Sequence, residues 1–470
     1  MTQKINKDLR ANMEDFHRRL AIQKNFDIIC RTTMVADRQA CFYFIDGFVK
    51  DDIIEKLMEF FYSVTPEDLP KDSESLSRDA MPYVEVELLS DREEIEKNIL
   101  SGVMCLFIDG FDKCFAIDCR TYPMRSVQEP EKDKVLRGSK DGFVETVVFN
   151  TALIRRRIRD NRLVMEMQQA GSASKTDIVL CYMEDRVDQK FLEEIRARIQ
   201  NLKVEALTMN QESLVECLYR GKWYNPFPKV KYSERPDTAA ASILEGKIAI
   251  LVDNSPAAII LPVSIFDIME EADDFYFPPI TGTYLRFTRF FIAILTLVLT
   301  PAWILLMQNP QWIPAAFDFI KVEGDVNIPL IYQLLILEIG IDGLKLAAIN
   351  TPNMLTTPLS VIAAIVMGEF AVKSGWFNSE TMLYMAFVAV ANYTQASYEL
   401  GYALKFMRVL LLILTAVFDW YGFLAGIFLA LLAIGCNRTV SGKSYLYPLI
   451  PFNGKQFARR IFRKRISFHE

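Results

Sequence analysis

Histidine is nearly missing from this chain: two occur in 470 residues, His17 and His469, one near each end. That scarcity argues against an imidazole-built zinc site, a Ser-His-Asp triad or a histidine acid–base pair. The eight cysteines, Cys30, Cys41, Cys105, Cys114, Cys119, Cys181, Cys217 and Cys436, form no CxxC pair and stand in no secretory context. They read as reduced, mostly buried thiols. A phosphate-binding loop is also absent. The nearest approach, Gly435 to Gly442-Lys443-Ser444, has six residues between its glycines where the motif has four, and it follows an apolar run instead of a strand. The polar start MTQKINKDLR has no apolar core, so no cleavable signal peptide is expected.

What the chain does hold is a series of apolar segments through its last third: 287–307, 328–349, 359–372, 381–400, 409–417 and 421–436, the final two broken only by Asp419. A helix needs about 20 apolar residues to cross some 30 Å of hydrocarbon, and the bilayer is the solvent these segments predict. Before about Asp274 the composition is that of a cytosolic domain, rich in Asp, Glu, Lys and Arg. The formal charge of −6 conceals a basic end, Lys455, Arg459, Arg460, Arg463, Lys464 and Arg465, which marks the cytoplasmic side. Six spans then put both termini in the cytoplasm, with Arg286 and Arg289 before the first span and Lys405 and Arg408 before the fifth. The third segment is about 21 Å long as a helix and falls short of a crossing, so a re-entrant hairpin is the alternative.

The pattern predicts a tail (1–21), a mixed α/β cytoplasmic domain in two parts (22–130 and 131–280), an all-α polytopic transmembrane domain (281–437) and a basic tail (438–470). Phe44-Ile45-Asp46-Gly47-Phe48 recurs as Phe107-Ile108-Asp109-Gly110-Phe111. Each copy predicts a hairpin at an Asp-Gly turn. A cation site at these aspartates lacks further acidic ligands at suitable spacing, which favours turn chemistry. Segments 177–182, 188–202 and 204–207 read as strand, helix and strand. Segments 247–252 and 257–262 read as a hairpin joined by Asp253-Asn254-Ser255-Pro256. Arg155, Arg156, Arg157 and Arg159 cannot share one helical face, so some are expected to point toward partners other than bulk water or to bear on a neighbouring domain. The segment lacks interleaved stacking aromatics and the domain is not basic, which argues against nucleic acid.

In the second apolar segment Glu338, Asp342 and Lys345 lie four and three residues apart, on one stripe of a helix. An ionised side chain at mid-bilayer costs roughly 2.5–3.5 kcal/mol, so the stripe is expected to face protein or water. Two readings stand side by side: an ion path, with Glu369 and Glu399 as further candidates, or a structural bridge from Asp342 or Glu338 to Lys345, or an interfacial helix. Asn392, Thr394 and Gln395 suit hydrogen bonds between packed helices or the lining of a path. Pro301, Pro352 and Pro358 are expected to end or kink helices beside protein or water.

Several runs together resemble one family, the A subunits of bacterial spore germination receptors (GerA family), and within it the SpoVAF-like branch. They are the SVQEP segment with Glu129 and Pro130; Arg137-Gly138; Asp141-Gly142-Phe143 with Glu145; Arg155, Arg156 and Arg157; the ERPD and EGK runs; Asp253 to Pro256; Gly282-Thr283; and the closing Pro448 to Asn453. The runs Leu346 to Pro352 and Ser397 to Leu400 favour the SpoVAF-like branch over a nutrient-receptor subunit. The resemblance implies a multi-pass protein of the spore inner membrane that acts in germination with other membrane subunits. It also implies a homo-oligomeric ring that conducts monovalent cations; no cofactor and no enzymatic activity are expected, since usable histidines and a clustered nucleophile and base are lacking. The rival readings are a secondary transporter, which predicts two halves of matching hydropathy, a membrane enzyme, which needs a clustered nucleophile and base, and a scaffold for another channel.

Overall fold

Asp8 opens the first helix, α1 (Leu9–Arg19), by accepting from the Arg10 backbone N–H at 3.0 Å. The structure, a computed structural model, describes residues 4–70, 72–81, 83, 85–120, 133–219, 224–351, 361 and 365–463. Leu9, Phe16 and Leu20 are buried, so the stretch expected as a tail belongs to a core. Ala36 (φ 44°) and Asp37 (φ 64°) then turn strand β1 (Ile28–Val35) back on β2 (Arg38–Ile45). Two consecutive left-handed residues make the hairpin turn whose twist matches that of its strands. Helix α2 (Asp51–Ser63), strand β3 (Val86–Leu89), helix α3 (Arg92–Leu100) and the hairpin β4 (Met104–Ile108) and β5 (Cys114–Ile117) follow. The sheet is antiparallel throughout, in the order β1-β2-β4-β5-β3. One face carries Phe16, Ile95 and Phe107 under α1 and α3, and the other Phe42, Leu57 and Phe61 under α2.

The second half uses the same plan. Helix α4 (Val147–Arg157), strands β6 (Leu163–Ala170) and β7 (Thr176–Met183), helices α5 (Gln189–Gln200) and α6 (Asn210–Leu218), strand β8 (Lys231–Ser233), helix α7 (Pro236–Leu244) and strands β9 (Ile248–Val252) and β10 (Ala258–Leu261) give an antiparallel sheet ordered β6-β7-β9-β10-β8. Equivalent bonds repeat residue by residue. Asp109 Oδ1 accepts from the Leu9 N–H at 3.1 Å, and Asp253 Oδ1 from the Val147 N–H at 3.1 Å. Each carboxylate thereby satisfies an otherwise orphaned donor at a helix start. Asn12 bridges both backbone groups of Asn6 as Asn150 bridges those of Val144. The Gly110 N–H reaches Lys7 O at 2.8 Å, as the Asn254 N–H reaches Glu145 O at 2.7 Å. The domain is therefore a structural duplication.

This corrects two expectations. The recurring Phe-Ile-Asp-Gly-Phe runs lie on neighbouring strands of one sheet and are not the repeat; Asp109-Gly110 joins a hairpin, whereas Asp46-Gly47 leads into α2. Segment 204–207 is not a strand. Its carbonyls at Val204 and Glu205 accept from Ser172 and Ala173 in the β6–β7 loop, which removes them from any ladder.

These residues form one compact unit, Met1–Gly221 with Val230–Pro262; Lys222–Lys229 with Val263–Glu470 form a second. The second is helical: α8 (Pro279–Gln308), α9 (Leu330–Asn350), α10 (Ser379–Asn392), α11 (Tyr398–Gly435) and α12 (Gly454–Ile461). Among the described residues two helices, α8 and α11, are long and apolar enough to cross a membrane. Pro301, expected to end or kink a helix, lies inside α8, which does not end there. Helix α11 is broken at Asp419 (φ 54°, ψ −137°). Its arms fold back on each other: a Cβ on Gly422 would stand 1.8 Å from Leu414 O, and one on Gly426 2.4 Å from Leu411 Cδ1. The Asn309 amide secures this turn on Asp419 Oδ1 at 2.7 Å.

Candidate functional site

Glu338 and Asp342 are one turn apart on α9, and Lys405 and Arg408 one turn apart on α11, so two charged stripes of opposite sign meet between the helices. Arg408 donates to Glu338 Oε1 from Nε at 2.7 Å and from Nη2 at 2.6 Å. Lys405 Nζ lies 3.3 Å from Glu338 Oε2, donates to the Glu338 carbonyl at 3.1 Å, and pairs with Asp342 Oδ2. Arg408 Nη1 also donates to the Thr296 carbonyl of α8 at 3.1 Å, which makes the cluster a three-helix joint. Glu338, Lys405 and Arg408 are 5%, 7% and 2% exposed. Such burial is tolerable only because each ion is paired and hydrogen-bonded. Asp342 Oδ1 is buried and has no hydrogen-bond partner among the described residues. That oxygen is the unsatisfied acceptor of the cluster.

Lys405 and Arg408 stand before the fifth apolar run, yet the helix that carries that run starts earlier, at Tyr398. They lie within α11 because Ser397 caps it, its Oγ accepting from the Leu400 N–H at 3.3 Å. Complementary i,i+4 and i,i+3 charge pairs, one in the second apolar segment and one just before the fifth, were the overlooked signal. The bridge to Lys345 is not formed; Lys345 Nζ sits over Tyr393 and Tyr402, 4.7 and 5.7 Å from the ring centroids. Glu369 pairs with Lys373 at 2.5 Å on the exposed surface. Glu399 is exposed in the first turn of α11.

Within the apolar segment 381–400 one helix ends at Asn392 and the next starts at Tyr398, which puts Asn392, Thr394 and Gln395 at a helix junction. Asn392 Oδ1 stands where a Cβ on Gly401 would be 3.1 Å away, and Thr394 Oγ1 donates to Ala391 O at 2.7 Å. Asn392 Oδ1 and both Gln395 amide atoms are buried without partners among the described residues. Pro352 and Pro358, and most of the short third segment, lie outside the described residues.

A second charged cluster surrounds the start of α8. Asp274, fully buried, accepts from Arg286 Nε at 3.0 Å and from Arg289 Nη2 at 3.1 Å. Arg286 also meets Glu270 at 2.9 Å and the Arg459 and Arg460 carbonyls at 3.1 and 3.2 Å; Arg460 pairs with Asp267 at 2.8 Å. The basic end is thus held, through α12, against α8 and the segment before it.

In the first unit, Arg155 is fully buried and grips Asp27 through Nε and Nη2 at 3.0 and 3.2 Å, joining the two halves of the duplication. Arg157 donates to Asp141 at 2.7 and 2.5 Å, while Arg156 is exposed. Burial raises the Asp141 carboxyl, but Arg157 and Ser139 outweigh it and hold the group below the usual range. Phe143 is buried between α4 and the sheet, and Gly142 is buried beside it. Gly138 is left-handed at φ 125°, and Arg137 and Glu145 are exposed. Asp253 caps α4 as described, and Pro256 follows in the β9–β10 turn. Glu129 and Pro130 lie outside the described residues.

The family model described as Bacillus/Clostridium GerA spore germination protein matches residues 17–470. The chain belongs to the GerA family. This GerA-family chain is 36% identical over 462 residues to stage V sporulation protein AF of Bacillus subtilis (strain 168), covering 98% of this chain and 93% of that one. It is 27% identical over 454 residues to spore germination protein A1 of the same organism, covering 95% and 92%. The crystal structure of the N-terminal domain of the A subunit of the Bacillus megaterium spore germinant receptor GerK3 superposes with a TM-score of 0.43 at 24% identity, covering 55% of the GerA-family chain and 96% of that domain.

Proposed function

We propose that this chain is an integral, multi-pass subunit of a spore germination complex in the spore inner membrane, and that copies of it form a ring passing monovalent cations down their gradient. The observation that carries the reading is the Glu338, Asp342, Lys405 and Arg408 cluster inside an otherwise apolar helical unit. An anchor has no use for four ions at that depth, each costing roughly 2.5–3.5 kcal/mol at mid-bilayer before pairing. Helices α8, α9 and α11 also present large apolar residues outward, among them Phe291 (63% exposed), Ile339 (75%) and Leu431 (63%), which suit lipid or neighbouring copies. Asp342, with one oxygen left over, is the carboxylate best suited to meet a passing cation. Glu369, Glu399 and the Asn392 to Gln395 junction are further positions along such a path. Other germination subunits are the expected partners, and the duplicated domain sets assembly or gating.

The test is cation flux from vesicles loaded with potassium and reconstituted with the purified full chain. Flux above protein-free vesicles, reduced by Asp342→Asn with the oligomer intact, supports the reading; vesicles as tight as protein-free ones overturn it. One observation favours a scaffold instead: both Glu338 oxygens are already met by cations. On that reading Glu338→Gln weakens the oligomer, and flux is absent throughout.

A further inference from the structure

On the paired strands β1 and β2, Cys30 lies opposite Tyr43 and Cys41 opposite Thr32, a diagonal pair on one face of the sheet. Their Sγ atoms are 2.9 Å apart, inside ordinary van der Waals contact, and both thiols are free. β1 is the edge strand of its sheet, and Cys30 is half-buried where Cys41 is fully buried. The side chain that solvent reaches therefore sits directly on the one it does not.

The surroundings activate Cys30. His17 Nδ1 lies 2.7 Å from the Met13 carbonyl, which can only accept, so this nitrogen carries a proton and the ring is held in place beside Cys30. The same imidazole packs edge-on against Tyr43, 5.9 Å between centroids, and bears on Cys30. The Cys41 thiol, then the Tyr43 hydroxyl and His17, draw the Cys30 thiol down to about 6 against the opposing effect of burial. The hydrogen bond with Cys30 and then burial push Cys41 up, so it holds its proton. A low-lying thiolate beside a protonated resolving thiol is the arrangement of a redox-responsive pair.

We propose that Cys30 and Cys41 form a peroxide-responsive dithiol in which Cys30 is oxidised first and Cys41 resolves it. The Cys30 thiolate attacks one oxygen of hydrogen peroxide; the O–O bond breaks, the S–O bond forms, and the departing hydroxide leaves as water with the proton that Cys30 gave up. The Cys41 sulfur then attacks the Cys30 sulfenic sulfur; the S–S bond forms, the S–O bond breaks, and hydroxide leaves as a second water with the Cys41 proton. Two thiols lose two electrons and one peroxide gains them. The disulfide sits three residues from Asp27, whose pairing with Arg155 joins the two halves of the domain.

The purified full chain in detergent is treated with hydrogen peroxide, its remaining thiols are alkylated, and its peptides are mapped by mass. A Cys30–Cys41 cross-linked peptide is expected, reversed by dithiothreitol, with Cys30 reacting about tenfold faster than the half-buried Cys217. In Cys41→Ser the reaction is expected to stop at a Cys30 sulfenic acid that a cyclic diketone traps, and His17→Gln is expected to slow the first step. Wild-type protein in which Cys30 reacts no faster than Cys217, and from which no such peptide is recovered, overturns the proposal without reliance on either variant.

Discussion

Arg408 places Nε and Nη2 on the same oxygen of Glu338, at 2.7 and 2.6 Å, and leaves the second oxygen to Lys405 at 3.3 Å. One carboxylate on α9 is thus held by two cations of α11. The helical unit is locked by charges buried among its helices, where an unpaired ion is costly.

Removing Arg408 alone unbalances this lock. Arg408→Met is expected to lower stability by about 3–5 kcal/mol, because the Thr296 carbonyl and half of the Glu338 carboxylate lose their donor. Thermal unfolding in detergent measures it. Adding Glu338→Gln to Arg408→Met is expected to recover part of the loss.

The soluble domain has its own buried pair. Arg155→Met leaves the 2%-exposed Asp27 side chain without its guanidinium and is expected to cost about 3–5 kcal/mol. The two halves are then expected to become separable by limited proteolysis, and Asp27→Asn in the same background to restore protection.

The hairpin of α11 depends on close backbone approach. At Gly422 the obstructing atom is a backbone carbonyl, while at Gly426 the nearest atom is the end of a leucine side chain. Gly422→Ala is therefore expected to destabilise more than Gly426→Ala, by about 1–3 kcal/mol for the former. Melting temperatures of the two variants in one detergent decide the order.

Acid is expected to loosen the Asp141–Arg157 contact. The folded carboxyl titrates below its ordinary 3.8, so its stabilising contribution is complete above that value and is lost as the pH falls through the lower folded value. Asp141→Asn is expected to flatten that acid limb in an unfolding series and to leave neutral-pH behaviour with a constant deficit.

Much of this was legible in the residues. The β9–β10 hairpin announced itself through two apolar runs about Asp253-Asn254, and the crowded arginines did send one of their number, Arg155, across to the other half. The duplication was hidden because it is written in backbone acceptors and two capping aspartates, Asp109 and Asp253, whose neighbours differ. The partners of Glu338 were missed for a different reason. Hydropathy places the fifth apolar run at 409, but Ser397 starts the helix earlier and carries Lys405 and Arg408 inside it. His17 looked isolated at one end of the chain, and only the fold of α1 over β2 brings it to Cys30.

On the proposed function the Asp342 carboxylate stands beside water and ions within the assembled protein. Potassium flux through reconstituted full-length protein, compared between the native chain and Asp342→Asn at equal oligomer content, tests it most directly. Asp342→Asn is expected to lose flux severalfold or to change the preference among monovalent cations. Equal flux with equal preference in both proteins would contradict it.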